Sequence, residues 1–198
     1  MAGNVIEEKS ALRARLEGLR RALSPEDVAV LGGGVHEHLA AQAFFSEARV
    51  VALFAAQSFE VPTAPIFEAL RRRGARCAYP RVVPGRRELD LLEVRSLDEL
   101  VAGGRLRLLE PRPSAPLVAP GAVDLILVPG VGFTPRGDRL GRGGGHYDAT
   151  LARLPRALRV GLAFECSLVP ELPVDAHDQR MARVVTERRV LSCPVGAG

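Results

Sequence analysis

Apolar positions recur at helical spacing in the first part of the chain. Leu12, Leu16, Leu19 and Leu23 form one stripe and predict a helix over residues 6–23. Lys9, Arg13 and Arg20 fall on a neighbouring strip of that helix, because steps of four and seven return nearly to the same angle. Ser24-Pro25-Glu26-Asp27 then opens a second helix, with Ser as N-cap, Pro in the first turn and acids at the positive end. Gly32-Gly33-Gly34 is expected to fray it.

Beyond this point short apolar runs alternate with helical patterns. Residues 49–55 (RVVALFA) read as a buried strand, 62–73 as a helix, 76–80 as a second strand, and 88–95, which alternate, as a third. Ser96 caps a short helix through Leu100, and the proline-rich stretch 112–120 is a loop. Residues 124–128 (DLILV) give the clearest buried strand. A helix begins within 143–154, residues 158–164 form a further strand, and 183–187 the last, before a frayed end from Ser192. Alternating strands and helices argue for an α/β fold with a parallel or mixed sheet. With no internal repeat or low-complexity linker, residues 1–198 read as one domain with its core in 6–191.

Composition narrows the chemistry. Trp is absent and aromatics make up 5% of the chain, so a single-stranded nucleic-acid platform is not expected. The net charge of +4 suits an anionic ligand as well as it suits a solvated basic surface. Of 27 basic residues only Lys9 is lysine, and a compact ammonium does not substitute for a planar guanidinium at a phosphate. Cys77, Cys166 and Cys193 form no metal or disulfide pattern and suit a reducing compartment. The N-terminus carries Glu7 and Glu8 and lacks the apolar core of a signal peptide, and no run has membrane-spanning length. A cytoplasmic protein without membrane association is expected.

The segment with the strongest chemical content is Arg139-Leu140-Gly141-Arg142-Gly143-Gly144-Gly145-His146-Tyr147-Asp148, preceded by Pro129-Gly130-Val131-Gly132-Phe133. It follows the strongest strand and precedes a helix, where α/β folds place ligands. Glycines let backbone amides approach phosphate oxygens, and the helix start adds free N–H groups. Arg139 and Arg142 offer charge-assisted hydrogen bonds, and Asp148 is a hard oxygen ligand for Mg²⁺. The segment is neither a Walker A loop nor a dinucleotide-binding turn.

This block resembles the signature of the 5-formyltetrahydrofolate cyclo-ligases, also called methenyltetrahydrofolate synthetases. Glu8 to Arg13 is similar to the family's N-terminal KxxxR, Phe54 to Thr63 to its early strand-end loop with a glutamate, and His177-Asp178 with Val184 to Glu187 to its closing HD…VTE. The resemblance implies a three-layer α/β/α fold with a mostly parallel, Rossmann-like mixed sheet, similar to sugar-phosphate isomerase and CoA-transferase folds. It implies ATP- and Mg²⁺-dependent conversion of 5-formyltetrahydrofolate to 5,10-methenyltetrahydrofolate, by phosphorylation of the formyl oxygen and ring closure by N10.

By the same resemblance Lys9, Arg13 and the loop Arg139, Leu140, Gly141, Arg142, Gly143, Gly144, Gly145, His146 and Tyr147 bind ATP. Ala55, Glu60, Arg142, Gly145, His146 and Tyr147 bind the folate, polyglutamated forms included, and Asp148 and Asp178 hold Mg²⁺. Arg142 stabilises charge on the transferred phosphoryl, and Tyr147 stacks on or orients the folate. His146 stands where many members have tyrosine, Ala182 where an acid is usual, and Pro62 replaces another usual acid. A monomer is expected, and the alternative reading is a non-catalytic nucleotide- or folate-binding relative on the same fold.

Overall fold

The structure, a computed structural model, describes residues 2–103 and 108–194. In chain order its elements are α1 (Ala2–Arg21), α2 (Pro25–Ala40), α3 (Ala43–Glu47), β1 (Val50–Ala52), α4 (Ala64–Arg72), β2 (Arg76–Arg81), β3 (Asp90–Val94), β4 (Leu100–Gly103), β5 (Leu108–Pro111), β6 (Leu125–Pro129), β7 (Gly132–Phe133), β8 (Arg139–Leu140), α5 (His146–Ala152), β9 (Leu158–Leu162), β10 (Arg183–Val185) and β11 (Val190–Ser192). Seven strands form one sheet in the order β11-β10-β9-β6-β1-β2-β3. Every pairing from β10 across to β2 is parallel, and the two edge strands, β11 and β3, are antiparallel. The β2–β3 link is a short turn through Pro84-Gly85, and a parallel return would need a crossover element.

The central strands are apolar on both faces because both faces are covered. On one, α2 and α4 bring Val35, Leu39, Ile66 and Leu70 against Val51, Leu127 and Val160. On the other, Leu151 and Leu154 join Ala52, Ile126, Val128 and Val184. This is the three-layer α/β/α arrangement with a mostly parallel sheet. The Asp124 carboxylate accepts the N–H groups of Arg49 and Val50 at 2.8 and 2.9 Å, which pins the start of β1 beside that of β6. The first helix belongs to neither layer. Leu16 packs with Val131, Leu140 and Val169 in a separate small core beyond the carboxyl end of β6.

Several expectations change. The leucine stripe of α1 is buried only in part: Leu16 is buried with Leu12 packed beside it, but Leu19 is 45% exposed, while Lys9 and Arg20 are buried. The helix is therefore rolled so that its basic strip faces the protein. The capping box of α2 forms between Ser24 and Asp27, but the helix does not fray at its glycines and runs unbroken to Ala40. Two of those glycines serve close packing. A Cβ on Gly32 would lie 2.6 Å from Pro62 Cδ, and one on Gly34 3.1 Å from Glu187 Cβ. The strand expected to be last is followed by β11, which pairs with β10 antiparallel. Sequence periodicity also passes over α3 and the β4–β5 and β7–β8 ribbons, whose elements are at most five residues long and hold too few positions to show a period.

Gly32 and Gly33 are expected to respond in opposite directions. Gly32→Ala should cost about 1–3 kcal/mol through overpacking against Pro62. At Gly33 a Cβ would meet nothing within 4 Å, so Gly33→Ala should gain up to about 1 kcal/mol. Urea denaturation of the two variants checks this; equal shifts would contradict the packing explanation.

Candidate active site

The site assembles where the loops after β1, β6 and β9 meet at the carboxyl end of the sheet, with α1 laid across them. Lys9 reaches in from the helix and donates to Asp175 Oδ2 at 2.6 Å and Asp178 Oδ2 at 2.7 Å. Burial disfavours its ammonium, but the two aspartate hydrogen bonds outweigh that and lift its pKa above the ordinary value. Its hydrogen bond in turn holds the Asp175 carboxyl below the usual range. One turn on, Arg13 Nε donates to Gly141 O at 2.8 Å and so binds α1 to the glycine–arginine loop. Two turns further, Arg20 Nη1 donates to Gly130 O at 3.1 Å. The basic strip thus clasps three separate loops.

The loop itself springs from the β7–β8 ribbon. The Leu140 side chain is buried in the small core under α1, and its carbonyl accepts from Val131 N at 2.7 Å, so Leu140 anchors the loop. Arg139 is also turned inward. Its Nη2 donates to both carboxylate oxygens of Asp148 at 2.9 Å, its Nη1 to Pro129 O at 3.3 Å, and its guanidinium lies 5.6 Å from the Tyr147 ring centre. Its side chain is 4% exposed, so losing either partner would strand a buried charge at a cost of about 3–5 kcal/mol. The φ angles of Gly143 and Gly145, 97° and 68°, are ones that side chains rarely adopt, and Gly145 lets the chain turn sharply into α5.

Arg142 alone among the loop arginines is exposed, and it reaches across the site. Its Nη2 donates to Glu60 Oε1 at 2.9 Å and its Nη1 to Gln57 Oε1 at 2.5 Å. Glu60 Oε2 accepts the Gln57 N–H at 2.9 Å, which fixes the carboxylate at the rim of a cleft. The walls of this open cleft include Phe54, Phe59, Phe164, Arg20 and Ser167. Ala55 stands half-buried beyond the end of β1, next to Phe54. Burial, with the negative charge of Glu60 in second place, raises the Tyr147 phenol far above its usual range, so Tyr147 is a neutral donor at any working pH. His146 Nδ1 bonds Arg87 O at 2.8 Å; the carbonyl can only accept, so Nδ1 carries a proton and Nε2 is the ring nitrogen left free of this contact.

Asp175, His177 and Asp178 place one ligand atom each within 4.8 Å of one another. Asp178 is bound into this group by Lys9 and by the Asp175 N–H. Asp148 joins it through the next residue, since Gln179 N donates to Asp148 Oδ1 at 3.1 Å. Hard carboxylate oxygens of this kind fit a Mg²⁺ that keeps waters and phosphate oxygens in its shell. Asp148 already spends both oxygens on Arg139, yet a carboxylate has about four lone-pair sites and can keep one for a metal.

Of the residues expected to form the site, the structure links Lys9 to Asp178, Arg13 to Gly141, Arg139 to Asp148 and Arg142 to Glu60. Sequence reasoning missed Gln57, Ser167, Asp175 and Gln179, which are ordinary loop residues without a pattern. Arg20 was visible on the basic strip, but nothing in the sequence showed that it would be buried. The fold and site together define an α/β protein in which a glycine–arginine loop flanked by basic side chains lies beside a carboxylate-rimmed cleft.

The family model described as "5-formyltetrahydrofolate cyclo-ligase family" matches residues 5–187. A 5-formyltetrahydrofolate cyclo-ligase of Escherichia coli K12 is 35% identical, over 86% of this chain and 96% of its own. The enzyme of that name from Mus musculus is 30% identical, over 94% and 97%. The solved 5,10-methenyltetrahydrofolate synthetase of Aquifex aeolicus superposes with a TM-score of 0.82 at 33% identity, covering 96% of this chain and 95% of that one. The chain belongs to the 5-formyltetrahydrofolate cyclo-ligase family.

The clasp at Lys9 should show in the pH dependence of stability. The lowered Asp175 pKa contributes stability that is full above 3.8 and lost as pH falls through the folded value. The raised Lys9 pKa contributes stability that is full below 10.5 and lost as pH rises through its folded value. The stability difference between the native chain and Lys9→Met should therefore be level between these limits and shrink outside both. A difference independent of pH would contradict the ion-pair account.

Proposed function

We propose that this protein converts 5-formyltetrahydrofolate to 5,10-methenyltetrahydrofolate at the expense of ATP. The observation that carries the reading is the Arg142–Glu60 contact, which joins the glycine–arginine loop to the aromatic cleft. A phosphate held by the loop and a ring held by Glu60 would meet at Arg142. Family membership supplies the reaction class, and the site supplies residues suited to each half.

In this reading the formyl oxygen attacks the γ-phosphorus of ATP and ADP leaves, giving a phosphorylated iminium. N10 then attacks the formyl carbon. Loss of the N10 proton and of phosphate leaves the methenyl bridge between N5 and N10. Little covalent chemistry falls to the protein, so positioning and charge stabilisation dominate.

Lys9 and Arg13 would hold the ATP phosphates, with Gly141, Gly143, Gly144 and Gly145 letting the backbone come close. Arg142 would release Glu60 and turn to the charge that develops on the phosphoryl group. The freed Glu60 carboxylate can accept two N–H donors of the pterin ring, with Ala55 and Tyr147 against it. Tyr147, kept protonated, retains its hydroxyl as a donor at neutral pH, and the neutral His146 ring offers Nε2 as an acceptor. Asp178 and Asp148, with Asp175 beside them, would hold Mg²⁺, which when bound neutralises phosphate charge. Lys9 leaves Asp178 as it moves to the nucleotide.

Protein supplied with ATP, Mg²⁺ and 5-formyltetrahydrofolate should build the near-ultraviolet absorbance of the methenyl product with matched ADP release. No absorbance and no ADP would contradict the reaction. Lys9→Ala should raise the KM for ATP and leave that for folate nearly unchanged. Glu60→Gln should do the reverse, by on the order of tenfold. Arg142→Ala should lower kcat by about 10²–10³.

A further inference from the structure

Besides Arg139 Nε in the glycine–arginine loop, two buried polar atoms in the lining of the cleft have no hydrogen-bond partner among the described residues. Arg20 is 5% exposed and Ser167 is 1% exposed. Arg20 Nε and Ser167 Oγ are both fully enclosed and make no hydrogen bond. Among the described residues, only Nη1 of the Arg20 guanidinium has an acceptor, the Gly130 carbonyl. A guanidinium carries five N–H donors, so most of its capacity is unused. Buried donors of this kind are normally satisfied, and each exception calls for a reason.

Both residues line the cleft that Glu60 rims, and they come from different elements. Arg20 stands on α1 and Ser167 on the turn after β9. The other walls are apolar, and Phe54, Phe59 and Phe164 among them suit a flat ring. The lining of one cleft therefore holds a carboxylate, engaged by Arg142 and Gln57, and apart from it two donor groups without a partner. Burial works against the Arg20 charge, and the negative charge of Glu60 partly restores it. The cation is thus only partly compensated within the protein.

We propose that Arg20 and Ser167 form a second polar subsite, which donates hydrogen bonds to the ring carbonyl of the bound folate while Glu60 takes the neighbouring N–H groups. A ring edge with an amide-like N–H next to a C=O complements this pair, acceptor to donor and donor to acceptor. A carboxylate tail fits less well, because aromatic walls would strip its water. The subsite makes Arg20 a specificity-determining residue that selects a 4-oxo ring over a 4-amino ring. An amino group there would turn a donor toward donors and leave Arg20 and Ser167 unsatisfied. The proposal rests on the folate reading of the cleft.

The test compares 5-formyltetrahydrofolate with its 4-amino analogue, by direct titration and as competing ligands, in the native protein and in Arg20→Leu, Arg20→Lys and Ser167→Ala. The native protein should prefer the 4-oxo ring by on the order of tenfold or more, as a site does whose buried groups would otherwise stay unpaired. Arg20→Leu should bring the ratio close to one, and Ser167→Ala should lower it part of the way. Arg20→Lys should retain part of it. If Arg20 merely braces Gly130, both ligands weaken together and the ratio stays fixed, which would overturn the subsite. Should Arg20→Leu fail to fold, the lysine and Ser167 variants give the same reading. Absence of binding by both ligands to the native protein would instead overturn the folate reading itself.

Discussion

The ammonium of Lys9 sits between Asp175 and Asp178, and this contact decides where the first helix lies. The helix contributes little to either face of the sheet, so its position depends on its own small leucine core and on three basic side chains. Lys9 grips the loop before β10, Arg13 the glycine–arginine loop, and Arg20 the end of β6. The first of those loops leads into a strand of the sheet, the last follows one, and the glycine–arginine loop joins the β7–β8 ribbon to α5, so the helix is pinned at three points. Without it the glycine–arginine loop would lose both Arg13 and the apolar cover over Leu140.

The charges of the site are satisfied by one another. Lys9 stands among the aspartates that suit a divalent cation, Arg142 covers the carboxylate proposed for the pterin, and Arg139 is locked on Asp148. This arrangement limits the cost of gathering so many charges in one place, because leaving them unpaired would be far worse than pairing them. In the proposed function binding would be an exchange: a phosphate would take Lys9 from its aspartates, leaving their oxygens to hold a metal, and a ring would take Glu60 from Arg142. Release of the Arg142 guanidinium by the folate would then couple the two halves of the site.

The sheet was legible because its central strands are uniformly apolar, and burial on both faces leaves no other reading for runs such as DLILV. The α5 start and the glycine–arginine loop were legible because glycine and arginine have few substitutes at such a turn. Periodicity failed on α1, where the leucine stripe suggested a buried face that the structure leaves partly exposed. The aliphatic stems of Lys9 and Arg20 let a basic strip be buried while its charges find oxygens, a choice that hydrophobic spacing cannot anticipate. The glycines of α2 misled in the same manner. Propensity expects fraying there, whereas tertiary contact with Pro62 and Glu187 requires the absence of side chains.

In the proposed function the Lys9 clasp is exchanged for nucleotide phosphate on binding. A structure of the protein with Mg²⁺ and a non-hydrolysable ATP analogue tests it directly. The account expects Lys9 Nζ to lie on a phosphate oxygen, with Asp178 turned to the metal. A nucleotide bound while Lys9 keeps both aspartates would contradict it.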